Sequence, residues 1–205
     1  MTYPLPGTMA SGSGRSVPLA LNMTSAPSTS LTGRNFGPVA PNRYLIAAIG
    51  EDNPFASVSN VAIAGVPATL LFNGSSGNRY RASFWMAHVP NGTSGSISYS
   101  GSGAPTTAIY RVAGLISTTP LDVDSNIDGL ELDVEIGGAI LAIAVRLTST
   151  NPDDSFNWTG VSKDGELGCM SVASSLFPAG AIDHDVMALK QNGLRANVLI
   201  GISLN

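Results

Sequence analysis

Cysteine is all but missing. Cys169 is the only one in 205 residues, which excludes a disulfide framework and a thiolate metal centre. Within Gly168-Cys169-Met170-Ser171-Val172 it reads as a small buried hydrophobe. Charge is also scarce, at 12% of residues against about a quarter in an ordinary soluble domain. A surface so poor in charge implies that neighbours cover part of it, so an assembly protein is expected and copies of itself are among its partners. The net charge of −4 and the lack of a clustered basic face exclude a sequence-independent nucleic-acid binder. No stretch approaches the ~20 apolar residues of a membrane-spanning helix, so no membrane partner is expected. The start, MTYPLPGTMASGSG, has no basic residue ahead of an apolar run, which predicts a chain that stays in the producing cell until released. Catalytic patterns are missing as well: there is no G-x-S-x-G elbow, Walker loop, H-E-x-x-H or dinucleotide glycine pattern. Of the two histidines, His88 lies in an alternating strand beside Trp85 and Met86, and His184 lies in an acidic turn between Asp183 and Asp185. The chain is therefore expected to be no enzyme and to use no cofactor.

What is present is strand after strand. Ser57 to Pro90 holds three apolar runs parted by Ala64-Gly65 and by Asn73 to Asn78, and reads as a β-meander. Arg43 to Ile49 is nearly all apolar and suits a central strand covered on both faces. Ser96 to Ser100 and Thr106 to Val112 alternate, and Leu130 to Ile136 sets apolar residues against carboxylates with period two. Gly137-Gly138 signals a hairpin returning along Ala139 to Leu147. Phe156 to Val161, Gly168 to Ala173 and Leu194 to Leu204 follow, and one short helix is expected near Asp183 to Lys190. About ten strands without helical crossovers predict an all-β, antiparallel β-sandwich of jelly-roll type.

Residues 1–34 differ from the rest. Ser, Gly, Pro and Thr dominate, apolar residues are isolated, and no period emerges. Such a stretch cannot bury enough apolar surface to order itself. It is expected to be an extended arm for attachment or assembly, ahead of a sandwich domain spanning 35–205. Leu5, Leu19, Leu21 and Leu31 are its candidate anchors, with Arg15 and Arg34 as its charges. Arg15, Arg34 and Arg43 are the only ionised side chains before Glu51, whereas Asp122, Asp124, Asp128, Glu131, Asp133 and Glu135 crowd one stretch. The two could meet between subunits, or each could be a solvated surface.

Two further patterns bear on binding. Asp124-Ser125-Asn126-Ile127-Asp128-Gly129 with Glu135 satisfies the calcium-loop expression, yet such loops need flanking helices and a strand follows this one, so the stretch reads as an acidic turn. Trp85 and Trp158 could stack on a sugar. Trp158 with Asn157 is the better candidate glycan contact, because Trp85 reads as core.

The stretches RYLIAAIG, SVSNVAIAGVPATLL, RASFWMAHVPNGTSGSISYSGSG and AIYRVAGL, with FNWTGVS and the closing ANVLI, resemble the β-sandwich domains of tailed phages and prophages that serve as minor virion, decoration or fibre proteins. The resemblance runs from about Asn35 to Leu204. It implies a place in the virion, assembled in the host cytoplasm, and supplies no catalytic residue. The expected function is a capsid decoration or head-fibre protein held by its N-terminal arm to capsid, portal-proximal or fibre subunits. The alternative is a tail-fibre or spike module that recognises a host surface glycan.

Overall fold

A computed structural model describes residues 18–53, 57–147, 155–190 and 196–205. The fold is all-β and antiparallel. The first half of the chain supplies β1 (Ala20–Ser28), β2 (Arg34–Asn35), β3 (Tyr44–Asp52), β4 (Ser57–Ile63), β5 (Val66–Pro67), β6 (Thr69–Ser76), β7 (Tyr80–His88), β8 (Ser94–Gly95), β9 (Ile97–Ser102) and β10 (Thr106–Ala113). The second half supplies β11 (Val123–Ser125), β12 (Leu130–Val134), β13 (Gly138–Val145), β14 (Phe156–Thr159), β15 (Ser162–Leu167), β16 (Met170–Phe177), β17 (Ala181–Lys190) and β18 (Val198–Leu204).

These strands form four stacked layers. The two middle layers are five-stranded sheets with the orders β1-β10-β3-β7-β6 and β11-β18-β13-β16-β15. A small sheet covers each outer face, β5-β4-β9 on the first and β12-β17-β14 on the second. Side chains on a strand alternate between faces, so a strand covered on both sides must be apolar throughout. Along β3, Ile46 and Ala48 enter the core between the large sheets, while Leu45, Ala47 and Ile49 enter the outer core beneath β4 and β9. Along β13, Leu141, Ile143 and Val145 face the shared core, and Ile140, Ala142 and Ala144 face the second outer core. At roughly 1.5–3 kcal/mol for each large apolar side chain buried, the shared core is the largest single source of cohesion.

The two halves repeat one topology. In each, the first strand pairs with the last, the last with the third, the third with the sixth and the sixth with the fifth, if β5 is set aside and β8–β9 count as one strand matching β17. The second strand meets the early part of the seventh, and the fourth meets its later part. Register makes the match residue by residue. Ala48 pairs with Ala108 and Phe84 in the first half, and Ile143 pairs with Ile200 and Val172 in the second. Placing Ala48 on Ile143 also superposes two β-bulges, at Leu71 in β6 and Asp164 in β15. It further aligns two turns, in which Arg43 N–H donates to the Ala40 carbonyl and Gly138 N–H to the Glu135 carbonyl. The expected jelly-roll sandwich is thus present twice in tandem, and not once across 35–205.

Four expectations change. Asp183 to Lys190 belongs to β17 and not to a helix. Val186 and Ala188 are buried while Met187 and Leu189 are half-open, and the bulge that leaves Asp183 at φ 48° hides the period of two. The meander is split, because β4 and β5 lie in an outer sheet while β6 and β7 pair in a large one. Gly137-Gly138 does not close a hairpin, since β12 pairs with β17 and β13 with β16 and β18; the glycines carry the chain from one layer to the next. Residues 18–34, assigned to the arm, belong to the sandwich. β1 completes the first large sheet against β10, and Leu19 and Leu21 are buried in the shared core.

Of the three arginines expected to carry exposed charge, Arg34 and Arg43 are buried, and Arg15 lies outside the described residues. Arg34 Nε donates to Ser25 Oγ at 3.0 Å, Nη1 to the Ser30 carbonyl at 2.9 Å, and Nη2 to those of Ala26 and Thr107 at 2.8 Å each. Arg43 Nε donates to the Val89 carbonyl at 2.6 Å, Nη1 to those of Gly37 and Pro38 at 3.1 and 3.0 Å, and Nη2 to those of Asn91 and Gly92 at 2.7 Å each. Carbonyl dipoles from two connections, 36–42 and 89–93, take the place of a carboxylate. Arg43→Met strips these acceptors of their donors and is expected to cost about 3 kcal/mol or more in urea unfolding. Arg43→Lys should recover little, because a point-like ammonium cannot span both connections.

Candidate functional site

The end of the second half opposite its acidic turn is built differently from its counterpart in the first. In the first half the second strand runs into the third through residues 36–42, which fold over the end and are pinned by Arg43. In the second half the same connection is only Glu135-Ile136-Gly137, and Gly138 stands where Arg43 stands. A Cβ at Gly138 would lie 2.7 Å from the Leu204 carbonyl oxygen, 2.8 Å from Val134 Cγ1 and 2.9 Å from the Glu135 carbonyl oxygen. No side chain fits there, so the second half has no plug of its own.

The result is an open apolar groove of about 1020 Å³. Its floor is backbone: Gly137 N–H and Gly180 N–H both donate to the Phe177 carbonyl, at 2.8 and 3.1 Å. Its walls are Ile116, Ile136, Leu176 and Ile182, of which Ile136 and Ile182 are 75% and 83% exposed. Glu135 supplies the groove's one carboxylate and accepts from Asn205 Nδ2 at 3.0 Å. Pro18 and Leu19, at the start of the described chain, also line it. Four large apolar side chains concentrated in one exposed groove suit contact with protein far better than with solvent. None of the four was a candidate in the sequence, because they are far apart in the chain and only the fold brings them together.

The residues singled out in the sequence are scattered. Leu5 and Arg15 lie outside the described residues. Leu19 and Leu21 are core, Leu31 packs half-buried against the first outer core, and Arg34 is the buried tie described above. As anchors for a neighbour, Leu19, Leu21 and Arg34 are already spent within the chain. Asn157 is exposed in β14, but the Trp158 ring packs against the second outer core and its Nε1–H donates to Ser171 Oγ at 3.0 Å. Part of the face expected to stack on a sugar is therefore occupied.

The acidic stretch is a structural knot. Asp122 Oδ2 accepts from Asp133 N–H and Asp124 Oδ2 from Glu131 N–H, both at 3.0 Å, and Asp133 Oδ1 accepts from Asp183 N–H at 2.9 Å. These carboxylates fasten β11 to β12 and β12 to the bulge of β17. Among the described residues no group of three His, Cys, Asp or Glu side chains is placed to hold a metal ion.

Four charged side chains, Glu51, Arg146, Asp164 and Glu166, lie buried or half-buried elsewhere. Burial raises the Tyr110 hydroxyl well above its ordinary range, and Asp164 beside it adds to the effect; Tyr110 Oη donates to Asp164 Oδ2 at 2.7 Å. Burial pushes the Glu166 carboxyl up, but donors from Lys163, Phe156 and Ser155 and the Arg146 guanidinium beside it outweigh burial and hold it below the usual range. Arg146 Nη1 lies 2.7 Å from Glu166 Oε1 as an ion pair without hydrogen-bond alignment. Glu51, which matches Arg146 in the repeat, has neither carboxylate oxygen hydrogen-bonded among the described residues. Burial raises it from 4.5 to about 6, against the pull of Arg81 across the ladder.

Compared with protein-family models, curated proteins and solved structures, the chain matches none. The likeness to phage virion proteins therefore rests on the quoted residues alone.

Glu51 gives a pH signature. Its folded pKa lies above the unfolded one, so the folded state binds the extra proton between 4.5 and about 6. Its contribution then falls as pH rises through that window. Urea unfolding at pH 4.5 and pH 7.5 should show Glu51→Gln gaining stability relative to the parent at the higher pH, by up to about 2 kcal/mol. An unchanged difference between the two pH values refutes the assignment.

Proposed function

We propose that this chain is a structural protein of a bacteriophage-like particle, of capsid-decoration or head-fibre type, held by its N-terminal residues to other virion proteins and to copies of itself. The observation that carries this reading is the meeting, at one end of the molecule, of the chain's entry at Pro18 and the exposed apolar groove walled by Ile136 and Ile182. The tether and the adhesive surface thus share an end, and the opposite end of the tandem is free to be displayed. Low charge and a core shared between two halves also suit a rigid display element. The phage-like sequence stretches supply the kind of particle.

The glycan-recognition alternative asks for aromatic faces converging on a loop end. Trp158 is partly enclosed, and Trp85 Nε1–H donates to Ser83 Oγ at 3.0 Å within its own strand. The geometry favours attachment over sugar binding.

Density-gradient fractionation of lysates from producing cells, probed with an antibody to the native chain, is expected to place the protein with particles. Joint replacement of Tyr3, Leu5 and Met9 by Ser should move it to the soluble fractions without unfolding it. Parent protein found only in the soluble fractions refutes the particle assignment.

A further inference from the structure

We propose that the groove between Ile116, Ile136, Leu176 and Ile182 is the seat of this chain's own N-terminal segment, Tyr3 to Met9. The inference deepens the proposed function by naming what covers the adhesive end of the free protein, and it rests on that reading only for the identity of the arm.

Position is the first argument. Pro18 and Leu19 line the groove, so the preceding 17 residues are delivered at its rim. Sequence is the second. Tyr3-Pro4-Leu5-Pro6 and Met9 form the apolar cluster of those residues, and Ala10-Ser11-Gly12-Ser13-Gly14-Arg15-Ser16-Val17 separates them from the rim, with Val17 beside Pro18 as its one large apolar side chain. Eight linker residues reach at most about 29 Å, ample for a return into a groove that begins beside Pro18. A tether of this length holds the segment at an effective concentration on the order of millimolar, so weak contacts suffice and a second copy is outcompeted in dilute solution.

Chemistry is the third argument. Pro4 and Pro6 fix their own φ angles and restrict the residues before them, which lowers the entropy lost on docking an extended peptide. The groove is apolar, as Tyr3, Leu5 and Met9 require. Its one carboxylate, Glu135, complements Arg15, the only charged side chain before Arg34. The repeat supplies a precedent within the molecule: at the matching end of the first half, residues 36–42 fold over and close it, and the second half has only three residues there. The N-terminal segment takes the covering role that the short connection cannot.

The test is methyl NMR on the full chain and on its full-length Leu5→Asp variant, with a synthetic Met1 to Met9 peptide as probe. Coincident core methyl signals in the two proteins check that the variant keeps the sandwich. The δ1 methyl signals of Ile116, Ile136 and Ile182 should differ between the two proteins, while those of the core residues Ile46, Ile109 and Ile143 should coincide. Added peptide should shift the three groove signals of the variant to their parent positions, and the parent should need at least about tenfold more peptide for any response. Identical groove signals in both proteins, together with no peptide response, overturn the proposal. Groove signals of the parent that change on dilution would place the segment of a second copy in the seat and overturn it equally. Either result leaves particle association, measured by gradient, as a separate question.

Discussion

The face-to-face contact of the two five-stranded sheets is the constraint from which the rest follows. Leu141, Ile143 and Ile200 from one half meet Ile46, Phe84 and Tyr110 from the other in a single core. Because that contact uses one face of each sheet, the opposite faces need covers of their own, and the two small sheets provide them. Strands β3 and β13 are consequently enclosed on both sides. That enclosure explains their unbroken apolar sequences, in which helix-like or membrane-like runs never exceed one strand.

Within this common plan the halves solve equivalent problems by different means. The bulge of β6 presents Leu71 to the shared core, whereas the matching bulge of β15 presents Asp164, which Tyr110 from the first half satisfies. Glu51 and Arg146 occupy matching buried positions with opposite charge. Glu51 faces Arg81 without a hydrogen bond, and Arg146 has Glu166 as its counterion. The largest divergence is at the loop end, where a buried arginine closes one half and a glycine leaves the other open. A groove of exposed isoleucines follows from that single difference in how a connection is built.

Strand character was legible in the sequence, because alternation such as that of Leu130, Leu132 and Val134 against Glu131 and Asp133 is a local signal. What the strands pair with was not. Gly137-Gly138 has the composition of a hairpin and serves as a passage between layers, which only the partner strands reveal. The tandem repeat was hidden because matched positions share burial and not identity, as with Ala48 and Ile143 or Tyr110 and Ile202. The boundary of the arm was misplaced by about 17 residues because Ala20 to Ser28 is polar enough to look unstructured. Its order comes from pairing with β10, some 85 residues away, and from only two buried leucines. The groove was invisible for a related reason: Ile116, Ile136, Leu176 and Ile182 are far apart in the chain, and composition cannot report their convergence.

The pairing of first strand with last has a consequence for how the chain is made. Each half closes only when its final strand is available, so on the ribosome the ladder of the first half completes once Thr106 to Ala113 has emerged, before any strand of the second exists. That nascent half then waits with the inner face of its sheet bare, a broad greasy surface that chaperones recognise and that stray strands can join. The exposure lasts until the second half supplies the matching sheet, and that is the vulnerability built into a fold whose two halves share one core.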